Sequence, residues 1–341
     1  MDILIIGGTR NMGHLLVLAL RQAGHVVTVL NRGKTRDELP KDVERLRADR
    51  TEPEQLNAAL TKRHFDAVVD TTLYNADEAR VMTELLSDRT GHYIFLSSGQ
   101  VYLIREGLKR PFKESDYEGR VMPAPKPDTF AHAEWRYGFT KREAEDTLLQ
   151  AWQTNGFPVT TLRLPMVNSE RDHFFRLYNY VLRLRDGGPI LTPTTPSFPL
   201  RHVYGGDVIN AIVRIVETGL GKGQAFNISQ DETVSLDEFL GMVGEIMDVK
   251  PKIVRLPRAT LEANGFLPDC SPFSERWMSE LDNELSKTAL GITYTPLKTY
   301  LRNIVTHYLE YMPPKPPGYR RRKAEIMLLQ FENELITETS K

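Results

Sequence analysis

Cys270 is the only cysteine among 341 residues, so no intramolecular disulfide can form, and no Cys/His set has the spacing of a zinc site. Runs of 18 apolar residues, the length a membrane-spanning helix needs, are also missing. So is an excess of one charge. The 44 Lys plus Arg stand against 45 Asp plus Glu, a formal net charge of -1, which gives polyanions no general attraction. The chain opens on the apolar run Ile3 to Ile6 with no basic stretch before it. These absences lead to the expectation of a cytoplasmic protein with no metal and no membrane partner, and nucleic acid is not expected as a partner. What is present, 40% apolar residues, suffices for a substantial core, and the length predicts about two domains at roughly 150 residues each.

From residue 1 to about 165 the chain alternates short β-branched runs with amphipathic stretches, the pattern of repeated strand-helix-strand units around a parallel sheet. The runs are Ile3 to Ile6, Val26 to Leu30, Val43 to Arg47, Ala67 to Asp70, Tyr93 to Ser97 and Val159 to Arg163. Apolar residues recur at helical spacing over Gly13 to Ala23, Glu54 to Lys62, Ala76 to Leu86 and Lys141 to Asn155. The expected fold class is α/β, a doubly wound parallel sheet of Rossmann-like type with a smaller C-terminal α/β substrate domain. Its expected divisions are 1–168 with 203–232 for the nucleotide, 169–202 with 233–312 for the substrate, and a helical tail over 313–341. Phe174 to Arg185 predicts a helix and the Gly/Pro/Thr-rich Gly187 to Pro199 a loop or lid. Ser235 and Glu238 predict a capping box.

Such a sheet binds ligands beyond the carboxyl ends of its strands. The first strand runs into Gly7-Gly8-Thr9-Arg10-Asn11-Met12-Gly13 and then a helix, where glycines permit a tight turn and the helix N-terminus offers unpaired N–H groups to a pyrophosphate. Gly7 and Gly13 have the spacing of the outer glycines of a G-x-x-G-x-x-G loop, with Arg10 at the middle position. After the second strand, Asn31 and Arg32 stand where an NAD site would place an acidic residue against the ribose 2′-hydroxyl. Arg32 with Arg10 can pair with a 2′-phosphate instead, so NADP is expected over NAD. Asp49 and Arg50 follow the third strand, within reach of an adenine edge, though an Asp capping a turn fits as well. Thr71, just past the fourth strand, completes the expected cofactor wall.

The fifth run ends in Ser97-Ser98-Gly99-Gln100, and Tyr137 and Lys141 are four apart at the start of a helix. That spacing puts phenol and ammonium on one face, and the ammonium favours the phenolate of a group whose ordinary pKa is about 10. Ser98 would hydrogen-bond the same substrate oxygen. With these residues, together with Glu114, Arg163-Leu164-Pro165 and His202 through Asp207, the chain resembles the extended branch of the short-chain dehydrogenase/reductase superfamily, the NAD-dependent epimerase/dehydratase family, over roughly residues 1 to 310.

The resemblance implies Tyr137 as acid-base, Lys141 on the nicotinamide ribose, Ser98 on the substrate oxygen, and Pro165 to Val167 along the nicotinamide. It further implies a small-molecule substrate, a nucleotide sugar above all, and a homodimer through helices near 76–87 and 141–153. The dehydratases of the branch carry Asp-Glu where this chain has Gly99-Gln100, which leaves epimerisation or net reduction. Tyr74, Ser98, Gly99 and Arg201 are the expected substrate contacts, with Asn75, His132, Trp135, Arg171 and Arg176 as further candidates. The loop Gly7 to Arg10 also resembles an atypical subgroup that includes chloroplast stem-loop RNA-binding proteins. Two other readings therefore stay open: an RNA- or protein-binding chain with nucleotide as a structural ligand, for which Arg320 to Lys323 is the basic run, or a reductase of a non-sugar carbonyl.

Overall fold

Alternate residues of a strand point to opposite faces, and the first run is apolar on both, which is the pattern of a strand covered by helices on each side. In the computed structural model, which describes residues 1–328, the elements follow in this order. They are β1 (Asp2–Ile6), α1 (Asn11–Gln22), β2 (Val26–Asn31), β3 (Glu44–Arg47), α2 (Pro53–Leu60), β4 (Ala67–Asp70), α3 (Ala76–Leu86), β5 (Tyr93–Ser98), α4 (Gln100–Leu103), α5 (Phe130–Asn155), β6 (Val159–Leu164), β7 (Val167–Asn168), α6 (Arg176–Arg185), β8 (Ile190–Pro193), β9 (Val203–Tyr204), α7 (Gly205–Thr218), β10 (Gln224–Asn227), α8 (Leu236–Met247), β11 (Ile253–Leu256), α9 (Arg258–Ala263), α10 (Glu284–Leu290) and α11 (Leu297–Tyr311).

Two compact units result, the first from Met1–Ser169, Arg201–Asp231 and Ser279–Tyr294. It holds a seven-stranded sheet in the order β10-β6-β5-β4-β1-β2-β3, every pair parallel, a doubly wound Rossmann-like arrangement. Ile3, Ile5, Val27, Val29, Ile94 and Leu96 pack on one face with Leu16, Val17 and Leu20 of α1 and Val208, Ile212 and Ile215 of α7. Leu4, Ile6, Val68, Tyr93 and Phe95 pack on the other with residues of α2, α3 and α5. The strand order turns back at β1, which lies between β2 and β4, so the crevice beyond Ile6 and Asp70 is the topological switch point where such sheets bind ligands.

The second unit comprises Glu170–Leu200, Glu232–Met278 and the described residues from Thr295 on. It contains α6, α8, α9 and α11 and the parallel pair β8 and β11. The Ser235–Glu238 capping box is present at α8.

Four expectations are corrected. Helix α5 begins at Phe130, where the Thr129 side chain caps it, eleven residues before the expected start at Lys141; Gly138 within it allows close packing, since a side chain there would meet the Gln100 carbonyl at 2.8 Å. The presumed loop Gly187 to Pro199 contains β8, whose Ile190 and Leu191 are fully buried. Residues Ser279–Tyr294 belong to the first unit, since Leu290, Ile292 and Tyr294 share a core with Val203 and Val208. The described part of the tail is no separate element: in the second unit Arg322 pairs with Asp186, and Glu325 with the fully buried Arg183. Residues 329–341 of the expected tail lie outside the described residues.

That last pair generates a prediction. Removing one partner of a buried ion pair strands the other, at a cost of about 3–5 kcal/mol. Glu325→Ala should lower stability by about that amount in urea denaturation, and a loss under about 1 kcal/mol would show that Arg183 does not depend on it.

Candidate active site

The chain leaves β1 with Gly7 at φ +107° and Gly8 at +81°, backbone that only glycine adopts without strain. A side chain on Gly7 would stand 2.2 Å from the Thr71 hydroxyl, and one on Gly13 would stand 2.8 Å from the Gly8 backbone. Thr71 donates its hydroxyl to the Ile6 carbonyl at 2.9 Å, tying the ends of β1 and β4. Helix α1 then starts at Asn11 with no side-chain cap from Arg10 and no acidic residue in its first turn. Its first N–H groups and the positive end of its dipole are left for an anion. Asn11 accepts from the Ser169 hydroxyl at 2.6 Å, while Met12 packs on the sheet core. A backbone cradle bared of side chains at a helix N-terminus fits a dinucleotide pyrophosphate.

Beyond β2, the Arg10 guanidinium donates to the Thr35 hydroxyl at 2.9 Å, and Arg32, 58% exposed, lies 3.9 Å from the Asp49 carboxylate. Asp49 caps the next turn, accepting the Thr51 N–H at 3.2 Å and hydroxyl at 3.0 Å. Those bonds hold its carboxyl below the usual range.

Arg50 turns inward. It grips Asp70 with two bonds of 2.8 and 2.7 Å, reaches Thr72 at 3.0 Å and stands 3.2 Å from Glu78. Asp70 is fully buried at the end of β4 and also accepts the Tyr93 hydroxyl at 2.6 Å. Burial alone would raise its pKa, but Arg50 outweighs that and keeps it low, because a buried carboxylate persists only when paired. Glu78 in turn accepts the Tyr74 N–H at 2.8 Å, and Asn75 caps α3. The turn 71–75 is thus held at several points.

On α5, Lys141 follows Tyr137 by one turn, and its ammonium sits beneath that turn. It donates to the Leu73 carbonyl at 2.6 Å and the Leu96 carbonyl at 2.9 Å. Ring centres of Phe95, Tyr74 and Tyr137 surround it at 4.7, 4.9 and 6.0 Å. Lys141 and Tyr137 are therefore neighbours as expected, but the lysine bonds backbone carbonyls; burial pushes its pKa down to about 8 against the pull of Asp70. Tyr137 and Tyr74 are 37% and 47% exposed with ring centres 6.5 Å apart.

Ser98 accepts the Gln100 N–H at 3.2 Å. Gln100 also donates its amide to Glu134 of α5 at 2.7 Å, and its carbonyl faces Gly138, so one residue links Ser98 to the helix carrying Tyr137. Gly99 is hemmed by Ser279, whose hydroxyl would lie 2.2 Å from a side chain there. Pro165 and Val167 are buried, Val167 within the sheet core.

Other candidates are placed elsewhere. Arg201 donates to the Gln230 carbonyl at 3.0 Å and to the Asn283 side chain at 3.2 Å. Trp135 donates to the Met122 carbonyl at 3.1 Å and stacks with His132 and Phe139, so these rings hold the segment before α5. Arg171 and Arg176 belong to the second unit, where Arg176 chelates Asp172 at 3.0 Å. In the basic run, Arg322 turns onto Asp186 and Glu325 and Arg321 onto the Gly265 carbonyl. Of this run Arg322 is buried and ion-paired, while Arg320, Arg321 and Lys323 are exposed. No group of His, Cys, Asp or Glu among the described residues could hold a metal ion, and no described helix is long and apolar enough to cross a membrane.

Sequence reasoning missed the support behind Ser98. Arg163 grips Glu145 at 2.6 and 2.9 Å and donates to the Tyr102 hydroxyl at 2.7 Å, and Ser97 donates to Glu145. The signal was present: Glu145 follows Lys141 by four, on the same helix face.

A model of the family described as "NAD dependent epimerase/dehydratase family" matches residues 3–229. The chloroplast stem-loop binding protein of 41 kDa b from Arabidopsis thaliana is 28% identical over 69% of this chain and 60% of its own length. The 2′-dehydrokanamycin reductase of Streptomyces kanamyceticus is 38% identical over 23% of this chain and 22% of its own. This chain thus matches less than two thirds of either relative. Among solved structures, the UDP-glucose 4-epimerase of Thermotoga maritima with UDP-glucose has a TM-score of 0.73 at 18% identity, covering 92% of this chain and 100% of that one. The dTDP-glucose 4,6-dehydratase of Bacillus anthracis with NAD has a TM-score of 0.71 at 15% identity, covering 91% and 97%. These likenesses are of fold. With the family model spanning most of the chain, the glycine cradle and the sheet around it are those of a member of the NAD dependent epimerase/dehydratase family.

Proposed function

We propose that the chain is an NADP-dependent oxidoreductase acting on a secondary alcohol or ketone of a sugar-nucleotide-like substrate, by epimerisation or net reduction. The observation that carries this is the placing of Tyr137 over the buried Lys141 ammonium, at the strand ends beside an uncapped helix N-terminus. Gly7 to Gly13 would hold the pyrophosphate, Arg10 and Arg32 the adenosine end, and Tyr137, Lys141, Pro165 and Val167 the nicotinamide end. When bound, the nicotinamide supplies the two-electron oxidation and reduction of the substrate carbon.

The chain's own part is the proton and its control. Tyr137 takes the proton from the substrate hydroxyl, or returns it, at its phenol oxygen. A phenolate forms at neutral pH only beside positive charge, and Lys141 is that charge. The Gln100 N–H takes one lone pair of Ser98 and leaves the Ser98 hydroxyl hydrogen available to donate to the substrate oxygen. Gly99 and Gln100 offer no carboxylate for dehydration. The short match to a 2′-dehydrokanamycin reductase supports net reduction. The proposal includes a cytoplasmic homodimer through α3 and α5, and Leu149 stands exposed on α5 for it.

Mass spectrometry of nucleotide released from the purified protein, with reduced-nicotinamide absorbance followed on adding nucleotide sugars and their keto forms, tests the reading; absence of any bound or bindable nicotinamide nucleotide rejects it. Tyr137→Phe should lower turnover by about 10²–10⁴-fold with nucleotide affinity unchanged, and undiminished turnover would remove Tyr137 from its role. Because Lys141 is charged below about 8 and neutral above it, kcat/KM should fall as pH rises through that value. A profile flat to higher pH would mean that the ammonium does not assist. Arg32→Asp should shift affinity from NADP toward NAD, and an unaltered ratio would count against Arg32 as a phosphate ligand.

A further inference from the structure

We infer that Arg47, at the end of β3, is a specificity-determining residue for the cofactor's adenosine end: it occupies the acceptor that a free ribose 2′-hydroxyl would need and leaves a donor-lined wall that suits a 2′-phosphate. The inference rests on reading the glycine loop as a dinucleotide cradle. The strand register sets Asn31 beside Arg47, and the two side chains meet through the Asn31 amide oxygen, which accepts from the Arg47 guanidinium and from the Gly33 N–H, the latter at 2.8 Å. An amide oxygen has two lone pairs, and both are taken. The Asn31 amide nitrogen is buried and has no hydrogen-bond partner, so its oxygen bonds alone fix the side chain.

Gly33 makes the arrangement possible. It sits at φ +71°, and a side chain on it would lie 3.0 Å from the Arg47 Cδ and Nε atoms. The Arg47 stem rests in that space, with the residue's side chain 44% exposed and one nitrogen 3.9 Å from Asp37. Asp37 is itself bound by Arg45 at 2.7 Å. The turn 31–35 thus gathers three guanidinium groups, Arg10, Arg32 and Arg47. Its other carboxylate, Asp49, is taken by Thr51 and faced by Arg32. A ribose hydroxyl both donates and accepts, whereas a phosphate only accepts and takes every donor offered to it; a wall of three guanidinium groups matches the phosphate better.

The consequence is opposite in sign for the two cofactors. Arg47→Met keeps the stem against Gly33 but frees one lone pair of Asn31. Titrations of the intact protein with NADPH and with NADH, read by nicotinamide fluorescence, and with 2′,5′-ADP and 5′-ADP, read by calorimetry, separate the possibilities. Wild type should favour NADPH over NADH by about tenfold or more; Arg47→Met should weaken NADPH and 2′,5′-ADP about tenfold and tighten NADH several-fold, with 1.4 kcal/mol per tenfold. Adding Asn31→Ala to Arg47→Met should abolish the gain for NADH, and Arg47→Lys should keep NADPH preferred. Equal wild-type affinity for NADH and NADPH, or an equal loss of both in Arg47→Met at unchanged melting temperature, overturns the inference alone. Binding of neither nucleotide overturns it together with the proposed function.

Discussion

One buried ammonium organises the site. Lys141 reaches from α5 to the carbonyls of Leu73, in the turn after β4, and Leu96, within β5, and so joins three segments distant in sequence. A charge withdrawn from water is tolerated only where hydrogen bonds and other charges replace hydration. Two carbonyls and three ring faces surround this one, with Asp70 acting through space. Tyr137 inherits its position from that arrangement, because one helical turn separates it from the lysine.

The turn that supplies the Leu73 carbonyl is in turn held by a second buried pair. Arg50 and Asp70 neutralise each other at the switch point, and Arg50 extends to Thr72 and Glu78, on which the Tyr74 N–H rests. Behind Ser98, Glu145 and Arg163 play the corresponding part. Each pair is of modest net worth to stability, since desolvation opposes attraction, but each prevents a strand end from drifting. A site that must hold reacting groups within fractions of an ångström depends on such supports.

The glycine cradle presents bare backbone, the end of β2 presents guanidinium donors, and near the ends of β4 and β5 helix α5 sets the Tyr137 ring beside the buried Lys141 ammonium. Glycines mark where these surfaces approach one another: Gly13 against Gly8, Gly99 against Ser279, Gly138 against Gln100.

Alternation of apolar runs and amphipathic stretches, the glycine loop and the spacing of Tyr137 and Lys141 were determined by the sequence alone, because strand and helix periodicity, left-handed turns and one-turn helix pairs are local properties of a chain. The tertiary structure decided the rest. Nothing local to Arg50 signals its pairing with Asp70, which lies a strand away. Arg201 and Trp135 likewise meet partners far along the chain, and residues 279–294 return to the first unit only because a core there accepts Leu290 and Ile292. The contact of Arg47 with Asn31 carried no signal, since it depends on the register between β2 and β3, and register is a choice made between strands, which neither strand encodes by itself.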